Sequence, residues 1–249
     1  MEKIQPANSA SRFEFLKWYH VASLGQALQA LECNYLRVNL GLVYGTKTLQ
    51  VGRLGSESRY IETDFIGDFA LLDNQGPRSF PSFIQGNADA LPFANESIDT
   101  LILPHVLEFV PDRHQVLREV ERVLKPEGRL FILGLNPWSP RRLLKLSERS
   151  SFWHARLIAG HHLLDWLELL KFDADLVAAF DSAREKPLQN PETQWEALKA
   201  GLSLAYAIKA IKRNYTLIPI EPEWTTQLTQ LVSGTLLDAP QISRQESDA

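Results

Sequence analysis

One stretch near the middle of the chain narrows the fold more than any other. Ile98 to Leu103 is a continuous apolar run flanked by acids, the pattern of a strand buried on both faces of a sheet. Asp112 to Lys125 then places Val116, Leu117, Val120, Val123 and Leu124 on one helical stripe. Asp112 is suited to cap the start of that helix, and Gly128 follows its end. Arg129 to Leu135 is a second nearly continuous apolar run. Strand, amphipathic helix and strand in immediate succession form the unit from which parallel sheets are built.

The rest of the chain extends this alternation. Apolar residues from Phe15 to Leu36 recur at helical spacing, so one helix is expected over Arg12–Leu40, broken by Gly41 and Gly45. Strands are expected at Thr48–Val51, Phe69–Asp73 and Ser82–Gln85, and later at Ala174–Phe180 and Leu202–Ile211. A further amphipathic helix spans His161–Leu170. The expectation is an α/β fold, a single Rossmann-like doubly wound sheet of about seven mostly parallel strands with flanking helices. It is drawn as one domain over residues 1–225, with a helical cap at 10–45 and insertions at 139–160 and 181–201. Residues 226–249 are polar and are expected to form a disordered tail.

Composition excludes several alternatives. With 45% hydrophobic residues in 249, the chain can fill a sizeable core. Cys33 is the sole cysteine, so no internal disulfide can form. The polar start from Met1 to Arg12 lacks a signal-peptide core, and no window suits a membrane span. A cytoplasmic location is expected. The net charge of -4 argues against nucleic acid as the main partner, although a local basic stretch keeps it open. Oligomeric state is not legible.

In an open parallel sheet, ligands bind beyond the carboxyl ends of the strands. The first such end reads Leu49-Gln50-Val51-Gly52-Arg53-Leu54-Gly55-Ser56, where glycines admit close backbone approach. Asp73 follows 21 residues after Gly52, a spacing at which an acid can take two ribose hydroxyls. Two glycines and an acid also describe an ordinary tight turn. More specific are Ala90-Leu91-Pro92-Phe93, then Leu103-Pro104-His105-Val106-Leu107-Glu108-Phe109, then Arg122-Val123-Leu124-Lys125-Pro126-Glu127-Gly128.

Together these segments resemble the class I S-adenosylmethionine-dependent methyltransferase superfamily, in the group acting on small molecules. The likeness is clear over about Thr48–Asn136, and the whole chain is similar to a proteobacterial branch with a degenerate glycine motif. The resemblance implies S-adenosyl-L-methionine as cofactor and methyl transfer to a small-molecule acceptor. It implies that Gly52 lies against the methionine portion, that Leu54 is also a cofactor-binding residue, that Asp73 holds the ribose, and that Asn87 and Ala88 read the adenine edge. It further implies that Leu91 lies along the adenine ring and that His105 faces the reaction centre.

This chain departs from that family at four positions. Its glycines at the second and third motif positions are Leu54 and Ser56, its leading acid is Gln50, and its adenine-reading acid is Asn87. If either replaced glycine position required a left-handed backbone, the strain would be about 1–2 kcal/mol.

His105 and Glu108 are candidate catalytic residues, a general base and its orienter. The bland alternatives are a strand-end histidine satisfying a buried group and an acid in a first helical turn. Asn136-Pro137-Trp138-Ser139 reads as a loop whose aromatic either faces substrate or anchors packing. The basic stretch Arg141, Arg142, Lys145, Arg149 and Arg156, interleaved with aromatics, suits a solvated helix face, a grip on an anionic substrate or an RNA-binding strip. His161-His162 has no ligand-spaced partner, so no metal site is expected. Beside methyl transfer stand three alternatives: an inactive methyltransferase-like scaffold, an RNA methyltransferase, and a nicotinamide-dependent dehydrogenase.

Overall fold

The computed structural model describes residues 6–40, 46–61, 69–74, 82–140, 156–181, 188–189 and 202–213, all within one compact unit. The tail expected at 226–249, most of both expected insertions and the basic residues from Arg141 to Arg149 lie outside the described residues.

The chain opens with α1 (Pro6–Val21) and α2 (Ser23–Leu40), followed by β1 (Thr48–Val51) and a single 3-10 turn at Glu57–Arg59. Then come β2 (Phe69–Asp73), β3 (Phe83–Gln85), β4 (Ile98–Pro104), α3 (Arg113–Val123) and β5 (Leu124–Leu135). After them run α4 (Gly160–Leu169), β6 (Phe172–Phe180), a two-residue β7 (Leu188–Gln189) and β8 (Ala205–Lys212). They form one 8-stranded sheet in the order β3-β2-β1-β4-β5-β8-β6-β7. The five strands from β3 to β5 run parallel, while β8 is antiparallel to both β5 and β6. The doubly wound α/β expectation is therefore met, with a short edge strand beyond the expected set.

Alternation along the central strands builds a core on each face. Leu101 and Leu103 of β4, with Leu130 and Ile132 of β5, join α3 and α4 in one cluster. Ile102, Phe131, Leu133 and Leu135 point the other way, into α1 and α2. A strand apolar on both faces is what a sheet covered by helices on both sides requires.

Most element boundaries shift by a few residues from the sequence reading, and two differ in kind. The expected single helix over Arg12–Leu40 is two helices with a corner at Ala22. Periodicity persists across the corner because both helices bury the same kind of face. Gly25 makes the corner, since a Cβ there would collide with the carbonyl of Trp18. The Gln26 side chain donates to His20 O at 2.8 Å and satisfies a terminal carbonyl of α1. The helix expected to reach Lys125 stops at Val123, and β5 begins at once. Pro126 cannot continue a helix, and Glu127 adopts a φ of 61°. The register between β4 and β5 slips here, so residues 125–128 bulge before the ladder resumes at Arg129.

Candidate cofactor cleft

Where β1 and β2 end, the chain leaves a cleft of about 640 Å³, within the range of small-ligand sites. Its floor is the loop after β1. Gly52 has a φ of 90° and Gly55 one of 84°. A Cβ at Gly52 would run into Val106 Cγ2, so only glycine lets the strand end turn this closely under β4. Neither Leu54 nor Ser56 is among the residues with positive φ, and Ser56 lies at -125°. The strain expected at the replaced motif positions is therefore absent. The left-handed positions of the loop are Gly52 and Gly55.

The loop is also held by a group the sequence reading overlooked. Glu57 Oε1 accepts from the backbone amides of Leu54 at 2.6 Å and Gly55 at 2.9 Å. The Gln50 amide donates to Gly52 O at 2.9 Å and toward Glu57 Oε1 at 3.3 Å, while Tyr60 donates to Gln50 Oε1 at 2.9 Å. Burial, with Glu57 nearby, pushes the Tyr60 phenol well above its ordinary range, so it stays a donor. Gln50 thus braces the loop through its amide, a task needing a donor and an acceptor, which a carboxylate could not perform alone.

Asp73 ends β2 with its side chain buried. Its Oδ2 accepts from the Arg53 amide at 2.7 Å. Arg12 of α1 reaches across and donates to both carboxylate oxygens, at 3.0 and 2.7 Å, and also to Arg53 O at 3.1 Å. That two-pronged geometry is the strong form of an arginine–carboxylate pair. On the far side, Asn87, Ala88 and Asp89 line the cleft after β3.

Of the residues singled out from sequence, Gly52, Leu54, Asp73, Asn87 and Ala88 come together as cleft lining. Leu91 does not: it is buried in the core beneath, its amide donating to Glu119 Oε2 at 2.8 Å. His105 and Glu108 do not reach the cleft lining either. His105 is 1% exposed and has a φ of 50°. This left-handed turn aims the ring at α2, where Nε2 lies 3.0 Å from Glu32 Oε1 and Nδ1 lies 3.4 Å from Glu108 Oε1. Tyr19 donates to the second Glu32 oxygen at 2.7 Å, and the Leu135 amide donates to Glu108 Oε1 at 2.7 Å. Burial would lower the basicity of His105, but the Glu32 charge and the Glu108 contact outweigh it and raise its pKa to about 10. A buried imidazolium held by two acids is a fastening between α2 and the end of β4. It is a poor general base near neutral pH. Trp138, by contrast, is exposed beyond β5 and belongs to neither core cluster of the described residues.

Among the described residues there is no cluster of metal-ligating side chains, and no helix is long and apolar enough to cross a membrane.

The order of the sheet and the position of the cleft define a class I methyltransferase-like architecture. Residues 38–132 match the family described as methyltransferase domain. The chain is 34% identical over 134 residues to the Escherichia coli (strain K12) protein YafS, covering 53% of this chain and 54% of that one. It is 36% identical over 115 residues to the ubiquinone/menaquinone biosynthesis C-methyltransferase UbiE of Marinomonas sp., covering 43% and 45%. The chain thus spans about half the length of the curated relatives it matches. In fold it resembles a crystal structure of a SAM-dependent methyltransferase, possible histamine N-methyltransferase, from Thermotoga maritima. That match has a TM-score of 0.56 and 19% identity, over 83% of this chain and 100% of the other. Residues 38–132 thus carry the methyltransferase-domain match, in a fold shared with solved S-adenosylmethionine-dependent methyltransferases.

Proposed function

We propose that the protein transfers a methyl group from S-adenosyl-L-methionine to a small-molecule acceptor. The observation that carries this is the convergence of Gly52, Asp73, Asn87 and Ala88 on one cleft at the carboxyl ends of β1, β2 and β3. The cofactor supplies an activated methyl on a sulfonium. In this reading Asp73 holds the ribose hydroxyls, Gly52 admits the methionine chain close to the backbone, and Asn87 with Ala88 takes the adenine edge. Asn87 can accept from an exocyclic amine through its side-chain carbonyl. With His105 turned away, the chain contributes in-line positioning and exclusion of water by Val106 and Phe109. Similarity to enzymes named for quinone C-methylation makes quinone-like acceptors a reasonable first panel.

Calorimetric titration with S-adenosylmethionine and S-adenosylhomocysteine tests the reading. Micromolar binding that Asp73→Ala weakens about 30-fold or more is expected, from losing a charge-assisted contact to two hydroxyls.

A second reading, an inactive scaffold, also has an observation in its favour. The Leu54 and Gly55 amides are already capped by Glu57, and both Asp73 oxygens already accept from Arg12. Absence of binding at millimolar ligand to the wild type and to variants of Arg12 alike would favour it.

A further inference from the structure

The engagement of Asp73 by Arg12 bears on how the cleft is filled and by what. The inference rests on the methyltransferase reading above. A ribose diol and a guanidinium compete for the same two oxygens, and Arg12 Nη2 lies 2.7 Å from Asp73 Oδ2. The same nitrogen lies 3.3 Å from where a Cβ on Gly52 would stand, inside the space given to the methionine chain. Arg12 therefore occupies part of the cofactor position.

Its element has a consistent character. The cleft-lining residues of α1 are Arg12, Phe13, Leu16, Lys17 and His20, two apolar and the others cationic or basic, with no acid among them. Phe13 is 70% exposed, and Val110 and Pro111 face the cleft from the end of the β4 loop. The acids among the cleft-lining residues are Asp73 and Asp89, and of these Asp73 is the one paired with Arg12. Once Asp73 turns to another partner, Arg12 loses its direct carboxylate contact and stands with Lys17 as two cations beside apolar surface.

We infer that Arg12 is a displaceable latch: the adenosyl ribose takes Asp73 from it, and the freed guanidinium, with Lys17, then binds an anionic group on an otherwise apolar acceptor. The acceptor class is an aromatic or aliphatic body carrying a carboxylate or phosphate. Binding is ordered, cofactor first, because the anion site does not exist until the latch opens. A latch lowers apparent cofactor affinity by the fraction of molecules in which it is open. Removing it raises that affinity, whereas removing a true cofactor ligand lowers it. The two roles have opposite signs.

The experiment compares S-adenosylhomocysteine binding by calorimetry to the wild type, Arg12→Gln, Arg12→Lys and Asp73→Ala, each checked for an unchanged circular dichroism spectrum. Arg12→Gln is expected to bind about ten-fold more tightly than wild type, with Arg12→Lys between them, since lysine makes a single-point contact. Phenyl phosphate and benzoate are then titrated with and without saturating S-adenosylhomocysteine, against benzyl alcohol as the neutral control. The two anions are expected to bind wild type only with S-adenosylhomocysteine present, and to lose that binding in Arg12→Gln. Equal affinity of wild type and Arg12→Gln for S-adenosylhomocysteine, or weakening comparable to Asp73→Ala, overturns the latch and leaves the methyltransferase reading standing. Anion binding that ignores S-adenosylhomocysteine overturns the ordered site. No binding to either wild type or Arg12→Gln removes the methyltransferase reading and the latch together.

Discussion

The two ends of the parallel sheet's centre are stabilised by different physics. Around β4, α3 and β5, buried leucine, isoleucine and valine do the work, and polar groups stay at the rim. Between α1, α2 and the ends of β1 and β4, the contacts that fix geometry are polar: Tyr19–Glu32–His105–Glu108 on one side, Arg12–Asp73 and Glu57 with its loop on the other. Apolar burial is non-directional and tolerates small errors. A buried charge network tolerates none, because each unpartnered member carries its full desolvation cost. The contrast is one of fragility and exchangeability. The α3 side holds the sheet by apolar packing, while the α1–α2 side adds polar fastenings to its own apolar core. Of these fastenings, the part-buried Arg12–Asp73 contact is the one that can trade partners.

The sharpest break is expected at Glu32. Glu32→Ala strips a partner from both Tyr19 and His105 and leaves the buried imidazolium with Glu108 alone. A loss of about 4 kcal/mol is expected in chemical denaturation, the cost of breaking a buried pair from one side. The same network sets a pH signature. The folded-state pKa of His105 is raised to about 10 from an ordinary value near 6.5. Its contribution to stability is therefore fully present below about pH 6.5 and is lost as pH rises toward 10. Urea midpoints measured from pH 6 to 10 should fall across that window, and His105→Phe should flatten much of the fall. A midpoint that rises with pH over this range would contradict the network.

Apolar truncation comes next. Leu117→Ala on α3, buried against β4 and β5, is expected to cost about 3 kcal/mol, with no dependence on pH between 6 and 10. The pair of experiments separates the halves by their response to pH rather than by size of effect alone.

The same division explains what the sequence disclosed. The strands β1, β2, β4 and β5 and the helix α3 were readable because period and apolarity specify them locally. Asp73 was readable as a cleft residue because it ends the strand after the Gly52 turn, at the spacing expected of an acid beside such a turn. Arg12 was not, since it lies 61 residues from its partner and nothing local marks it. Glu57 had a faint signal, an acid shortly after a glycine turn, of the kind that caps exposed amides. His105 shows the converse failure. Its neighbours in sequence gave it a catalytic look, but its direction is set by a left-handed backbone and by Glu32, 73 residues away on α2.

The smallest expected effect sharpens the comparison at its boundary, where α3 meets the loop leaving the cleft. Asp112 sits at the N-cap in extended conformation, and its Oδ1 accepts from the Gln115 amide at 2.9 Å. This is an exposed polar contact on the apolar side, made to a neutral backbone amide. Asp112→Ala should cost about 1 kcal/mol, the ordinary value of a lost cap, and Asp112→Asn should recover most of it, because either side chain offers an oxygen. If the polar contacts of this protein owed their strength to charge as such, Asn would fail as badly as Ala. Recovery would show that at the surface geometry suffices, and that the heavy dependence on charge belongs to the buried network around His105. The same substitutions should leave S-adenosylhomocysteine affinity unchanged, since Asp112 only follows the cleft-lining run that ends at Pro111.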